Sequence, residues 1–159
     1  MEKLLKVLED NGRLSNKEIA TMLGMTEQEV ADKIAAYERD GTIRGYKTVF
    51  DKEKLNDNRV TALIEVKVHP KLSHGFEDVA NRIAQLEEVE TLYLMSGGFD
   101  LAVIISGKTF EEVATFVSRR LAPIDDVIST ATHFMLKGYK DSGFMVTSHK
   151  ADNRGKIRL

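Results

Sequence analysis

Residues 15–30 read SNKEIATMLGMTEQEV and decide the fold of the first part of this chain. Ser15–Glu18 is spaced as a capping box, in which a hydroxyl and a carboxylate together close the start of a helix. Thr26–Glu29 repeats the pattern, and Gly24 lies between the two boxes. The stretch therefore predicts two helices joined by a tight turn, which is the helix-turn-helix arrangement.

Apolar residues on both sides of this stretch repeat at helical spacing, which predicts a head of three helices. The first helix is expected to end near Asn11, and the third runs on from Thr26 until Gly41 stops it. Residues 42–50 alternate around a glycine, and this pattern predicts a two-stranded wing. The residues expected to point inward at the turn are Ile19, Leu23, Met25 and Val30. The alternative is a three-helix cap without a DNA role.

If the head reads DNA, the helix that begins at Thr26 enters the major groove with its N-terminal residues first. Gln28 can form two hydrogen bonds to adenine, and Glu29 can accept one from cytosine. Basic side chains on the neighbouring elements are expected to hold phosphates. The predicted DNA-contacting residues are Ser15, Lys17, Thr26, Gln28, Glu29, Lys33, Arg44 and Lys47. Each basic residue in this set has a plainer alternative as solvated surface.

Beyond the head the hydrophobic pattern changes its period. A polar, turn-rich linker is followed by the order strand, helix, strand, strand, helix, strand, which is the ferredoxin-like βαββαβ arrangement. The whole chain is therefore predicted to have an α+β fold. The predicted parts are a winged helix-turn-helix at 1–50, a linker at 51–59, a ferredoxin-like sandwich at 60–142 and a basic tail at 143–159.

Two helices cover only one face of a four-stranded sheet, so the other face needs a cover as well. We expect that face to carry Leu63, Leu92 and Leu94 or their alternates. A second subunit is the natural cover, because the domain is too small to leave this apolar surface in water. Burial alone thus predicts a homodimer.

Composition restricts the possible functions of the 159 residues. There is no cysteine, which excludes disulfides, thiolate metal sites and cysteine nucleophiles. No apolar stretch approaches the ~20 residues that cross a bilayer, and the start lacks a secretory signal, so we expect a cytoplasmic protein. The sequence contains no nucleophile elbow and no phosphate loop. Its histidines are scattered without the spacing of metal ligands; they are His69, His74, His133 and His149. The sequence predicts no catalytic residue, no metal and no cofactor.

Charge weighs against tight DNA binding. The formal net charge is −2, and residues 1–50 carry eight Lys or Arg against nine Asp or Glu. Proteins that neutralise phosphates usually carry a basic surplus. We therefore expect low affinity for each head, so that several heads must act together.

Four motifs follow one another along residues 1–142: the stretch at 15–30, DGTIRGY at 40–46, SGGFD at 96–100 and TAT at 130–132. With these motifs the chain resembles the Lrp/AsnC family of "feast/famine" transcription regulators. The resemblance implies a sequence-specific regulator of double-stranded DNA that dimerises through its C-terminal sheets and often forms octameric rings. It also implies an amino acid or related small metabolite as effector, held between dimers.

Five residues of these motifs are carried over as effector-binding. Gly97 and Gly98 permit close backbone approach, so that main-chain N–H groups can face a carboxylate. Asp100 can take an ammonium group, and Thr130 and Thr132 offer hydroxyls on one strand face. The alternative is a turn that needs glycines, an aspartate that stabilises it, and threonines chosen for strand propensity.

The third helix departs from the family, since many relatives carry more arginine where this chain has Ala35, Ala36 and several acids. Two alternatives therefore stay open. One is a metabolite-sensing oligomer that does not bind DNA, and the other is an enzyme similar to the sirohaem decarboxylases, which share a two-domain design. Such an enzyme needs imidazoles and arginines in its cleft. Here His133 is the single imidazole expected beside the threonine pair, while Arg119 and Arg120 lie on the far helix.

Overall fold

A computed structural model describes residues 2–51, 54–55, 57–70 and 75–146. They form two compact units, one ending at Thr48 and the other starting at Val49. Most of the predicted basic tail, together with His74 and parts of the predicted linker, lies outside the described residues. Within the described ranges, no helix has the length and apolar character that a membrane crossing needs.

The first unit consists of three helices: α1 (Lys3–Asp10), α2 (Asn16–Leu23) and α3 (Glu27–Asp40). Both predicted capping boxes are confirmed. Ser15 Oγ accepts a hydrogen bond from Glu18 N at 3.3 Å, and Ser15 N donates back to Glu18 Oε2 at 2.8 Å. The corresponding distances between Thr26 and Glu29 are 3.2 and 2.7 Å. These bonds satisfy backbone donors that a helix start would otherwise leave unpaired.

Glycines end α2 and α3 as the sequence predicts. Gly24 and Gly41 adopt left-handed φ angles of 66° and 78°, where a side chain would be strained. The turn after α2 packs the two helices over a small core in which Ile19 and Val30 are fully buried. Leu23 and Met25 pack against this core, so the inward positions are also confirmed.

The predicted two-stranded wing is wrong for this structure. Residues 42–50 are all described and contain no strand. The segment bonds to α3 rather than to itself: Ile43 N donates to Tyr37 O at 2.9 Å, and the Tyr46 hydroxyl donates to Glu38 at 3.1 Å. An alternating pattern forms a strand only where a partner strand is available, and this segment instead makes its contacts with α3.

The second unit is the predicted ferredoxin-like βαββαβ arrangement. Its elements are β1 (Val60–Val68), α4 (Glu77–Ala84), β2 (Val89–Leu94), β3 (Leu101–Gly107), α5 (Phe110–Phe116) with a π-helical turn (Val117–Leu121), and β4 (Val127–Phe134). The sheet has the order β2-β3-β1-β4, and each neighbouring pair is antiparallel. The central strands β1 and β3 therefore hold the unit together.

A short hairpin that the sequence analysis missed follows the sheet. Strands β5 (Lys140–Asp141) and β6 (Phe144–Met145) are joined by Ser142 and Gly143, whose φ angles are 47° and 89°. Two consecutive positive φ angles are typical of the tight turns that connect two-stranded hairpins. The basic tail predicted to start at residue 143 therefore begins inside a hairpin.

Helices α4 and α5 cover one face of the sheet, where Ile64 and Val103 are fully buried. We call the other side the open face. The strand register assigns to it Thr61, Leu63, Glu65, Lys67, Thr91, Tyr93, Ala102, Ile104, Ser106, Ser129, Ala131 and His133. Leu63 is on this face as predicted, but Leu92 packs against the core and Leu94 is paired with Leu101. An irregularity between Val89 and Thr91 sets this register, so Tyr93, 59% exposed, takes their place.

Candidate DNA-reading surface and effector site

The outer face of α3 is defined by Gln28, Asp32, Ala35 and Arg39, which are spaced by four, three and four residues and are all exposed. This spacing brings side chains to one side of a helix. The buried side of α3 carries Val30, with Ile34 and Tyr37 packed beside it. Arg39 was not among the predicted DNA contacts, although the same spacing could have found it.

Three predicted DNA contacts already serve the helix caps. Ser15 and Thr26 supply the cap hydroxyls, and Glu29 accepts bonds from both the backbone N and the hydroxyl of Thr26. The bond from the Thr26 backbone, followed by that from its hydroxyl, holds the pKa of Glu29 below its ordinary value. A carboxylate used in this way is fixed in direction, which restricts how it can meet a base edge.

Two further predicted contacts are paired within the head. Gln28 Nε2 donates to Asp32 Oδ1 at 2.9 Å, so a neighbouring acid holds the side chain that is expected to read adenine. Lys33 Nζ donates to Glu2 Oε1 at 2.6 Å, and the Tyr37 hydroxyl donates to Glu2 Oε2. The bond to Glu2 raises the pKa of Lys33, and the same pair lowers the pKa of Glu2.

The remaining basic residues lie on the neighbouring elements of the head. The Arg44 guanidinium rests against Gly41, where an added Cβ would lie 2.9 Å from Arg44 Cζ. Lys17, on α2, and Lys47 are both exposed. These three side chains can therefore reach a phosphate backbone without first breaking an intramolecular bond described here.

The motif at residues 96–100 forms the connection between β2 and β3. Gly97 has a φ angle of 156°, and a Cβ at Gly98 would meet no atom within 4 Å. Asp100 ties this connection to β1: its N donates to Val66 O at 3.0 Å, and its Oδ2 accepts from Val68 N at 2.9 Å. The aspartate therefore stabilises the turn, whatever else it contacts.

Three of the predicted effector residues, Gly97, Gly98 and Asp100, lie in the turn, and the other two lie on β4. Thr130 is opposite Val66, and Asp100 is bonded to the same residue from the other side of β1. The two are thus about two strand spacings, roughly 10 Å, apart. Thr132 is opposite Ile64 on the same face as Thr130. On this face β1 carries Ile64 and Val66 between the turn and the threonines, and both are fully buried.

His133 is not beside the threonine pair, contrary to the sequence-based expectation. Alternation along β4 places it on the open face, where Nε2 lies 3.3 Å from Glu65 Oε1. Arg120 is bonded to Glu88 at 2.6 Å on the side of α5. Among the described residues, no group of three or more His, Asp or Glu side chains is placed to hold a metal ion.

A shallow groove of about 470 Å³ lies beside α5. Its lining consists of Glu88, Thr109, Glu111, Glu112, Thr115, Phe116, Arg119 and Arg120. None of the five predicted effector residues contributes to this lining, so the groove and the predicted effector site are separate places.

Two family models match the chain. The model described as "Lrp/AsnC ligand binding domain" matches residues 61–144, and the one described as "Winged helix-turn-helix DNA-binding" matches residues 2–44. The first covers the four-stranded sheet with its helices, and the second covers the three-helix head. Each of the two compact units thus has its own match.

Individual relatives agree with these matches. The chain is 42% identical to the uncharacterised HTH-type transcriptional regulator YugG of Bacillus subtilis, over 96% of this chain and 92% of that protein. It is 25% identical to the leucine-responsive regulatory protein of Haemophilus influenzae, over 91% and 86%. The structure of the regulator NMB0573 of Neisseria meningitidis in complex with L-Met superposes with a TM-score of 0.68 at 23% identity, covering 89% of this chain and 93% of that one.

We expect Asp100→Ala to lower the free energy of unfolding by about 1–3 kcal/mol, because it leaves the buried Val68 N–H without its acceptor. Asp100→Asn keeps an oxygen acceptor and should lose less. Chemical denaturation without any ligand measures both, and Asp125→Ala, at an exposed aspartate, should stay within about 0.5 kcal/mol of wild type. Equal stability of all three variants would contradict a tethering role for Asp100.

Proposed function

This chain belongs to the Lrp/AsnC family of DNA-binding transcription regulators, and we propose that it reads DNA with α3 and responds to a small metabolite bound to its sheet unit. In this assignment residues 1–50 are the DNA-binding part, 51–59 the linker, and 60–142 the part that binds effector and dimerises.

The observation that carries the DNA assignment is the construction of α3. This helix is closed by a capping box at its start and a left-handed glycine at its end, which fixes its length and direction. Its outer face presents a hydrogen-bonding amide on Gln28 and a guanidinium on Arg39. Both side chains can contact base edges or phosphates in a major groove. Both ends of α3 are therefore defined by caps, and its outer face carries polar side chains that suit contact with DNA.

We propose an amino acid or a related small metabolite as the effector. A charged α-carboxylate suits the exposed main chain at Gly97 and Gly98. The hydroxyls of Thr130 and Thr132 can bind other polar groups of the effector. Among the relatives, one is named a leucine-responsive protein and another was solved with L-Met. These names support the class of effector and leave its identity to experiment.

We propose that the protein is a homodimer assembled through the open face, with octamers as a further level of assembly. The face combines Leu63, Tyr93 and Ile104 with a hydrogen-bonded pair between Thr61 and Ser106 at 2.9 Å. Leu63 and Ile104 are half-buried and Tyr93 is exposed. A contiguous apolar patch of this kind on a protein surface is typical of an interaction site. Two heads would then act on one DNA molecule.

The proposal assigns the chain no catalytic role, no cofactor and no membrane association, and it implies a cytoplasmic location beside the DNA. An enzyme similar to the sirohaem decarboxylases loses its main support, because His133 and the threonine pair are on opposite faces of the sheet. A sensor that does not bind DNA keeps one observation in its favour, the acids on α3. The DNA-binding measurement below distinguishes it from a regulator.

Gln28→Ala should relax sequence preference. The wild-type protein first selects a preferred duplex from a random pool. The difference in binding free energy between this duplex and an unrelated one should be smaller by about 1–3 kcal/mol in the variant. Lys17→Ala is the matched control. It should weaken binding to both duplexes equally and reduce the slope of log affinity against log salt by about 1. Fluorescence anisotropy measures both, and a wild type that binds no duplex at ~50 mM salt would favour the non-DNA sensor.

The effector site is tested by thermal-shift measurements with each of the twenty amino acids. At a hundredfold excess over Kd, a ligand that binds only the folded protein stabilises it by about 2.7 kcal/mol. Thr130→Val and Gly98→Ala should abolish this shift, and Gly98→Ala has room for its methyl group in the unliganded protein. Ser129→Ala, on the opposite face of β4, should keep it. An undiminished shift in the first two variants would place the ligand elsewhere.

A further inference from the structure

The carboxylate of Glu2 is held by two donors from α3. Lys33 Nζ donates to Oε1 at 2.6 Å, and the Tyr37 hydroxyl, one turn further along α3, donates to Oε2. Glu2 immediately precedes α1. It is separated from Lys33 by 31 positions in the sequence and from Tyr37 by 35, so the contact links the start of the three-helix unit to its last helix. Both oxygens of the Glu2 carboxylate are therefore bonded to side chains of α3.

This contact matters because α3 has only two basic residues, Lys33 and Arg39. The side chains of Lys33 and Glu2 remain 47% and 42% exposed, so the pair is accessible to an approaching phosphate. When a lysine neutralises a phosphate, cations condensed on the DNA are released, and this release drives the affinity. The charge of Lys33 is already matched by the Glu2 carboxylate, so Lys33 neutralises a phosphate fully only when its bond to Glu2 is given up.

We propose that Glu2 competes with the DNA backbone for Lys33 and thereby sets a low intrinsic affinity of each head. The inference rests on the proposed role of α3 as the reading helix. Tyr37 acts as a positioning residue, because its hydroxyl holds the competing carboxylate in place. The partner that Glu2 displaces is a phosphate of double-stranded DNA, recognised by charge rather than by sequence.

A double-mutant cycle in the full chain tests this proposal. Glu2→Gln should tighten binding to a duplex about three- to tenfold at ~100 mM salt and steepen the salt dependence by about 0.9 for each bound head. In a Lys33→Gln background the same change should have no effect, because the ammonium group for which Glu2 and the phosphate compete is absent. A gain that persists in this background would show a general charge effect and overturn the proposal, as would an unchanged affinity of Glu2→Gln.

Glu27→Gln is the matched control. It removes the same charge from the first turn of α3, six residues and about 120° around the helix from Lys33. Any gain from this variant should persist in the Lys33→Gln background. If Gln28→Ala and Lys33→Gln both leave DNA binding unchanged, α3 is not the reading helix, and the proposed function fails together with this inference. If those two weaken binding while Glu2→Gln is silent, only the inference fails.

A measurement without DNA checks the contact itself. Lys33, and after it Tyr37, keep the pKa of Glu2 below its ordinary value. Carboxyl NMR titration should therefore show the pKa of Glu2 rising toward the ordinary value in Lys33→Gln, and partly in Tyr37→Phe. A pKa of Glu2 that is the same in all three proteins would mean that the pair is absent in solution, and the proposal would be overturned.

Discussion

The second unit, with the surfaces proposed for effector and partner, depends on the pairing of β1 with both β3 and β4 in the middle of a sheet that has helices on one side only. Alternation along β1 sends Ile64 and Val66 into a dry core and leaves Leu63 and Glu65 on the open face. The same register sets Thr130 two strands away from Asp100, at the level of Val66. A single set of strand pairings thus builds the core and positions both the candidate effector residues and the proposed dimer surface.

The head follows a different principle, in which local bonds decide almost everything. Its core is small, and capping boxes and left-handed glycines define where each helix begins and ends. Many of the polar side chains that could meet DNA are bonded within the head, above all Gln28 to Asp32 and Lys33 to Glu2. Such a surface is pre-ordered but nearly charge-compensated. We therefore propose that useful affinity comes from two or more heads linked by the sheet unit.

Sequence patterns predicted the elements well wherever a local rule applies. The capping boxes, the glycine turns and the order of strands and helices follow from residue spacing, and the structure confirms them. The wing was wrong, because the segment makes tertiary contacts to α3. Sequence left open whether Leu92 and Leu94 or their alternates face outward, because this depends on a strand irregularity that no local pattern encodes. The ion pair between Glu2 and Lys33 was equally invisible, since it joins residues 31 positions apart. The position of Arg39 on the outer face of α3, by contrast, follows from helical spacing alone.

The central claim is that a second copy covers the open face and that DNA binding depends on this pairing. Sedimentation velocity of the full chain with a duplex carrying two half-sites tests it most directly, with Leu63→Asp and the more exposed Tyr93→Lys as variants. We predict a wild-type dimer that binds the duplex, and variants that sediment as folded monomers and bind it at least tenfold more weakly. Variants that remain dimers, or monomers that bind as tightly as wild type, would contradict the account.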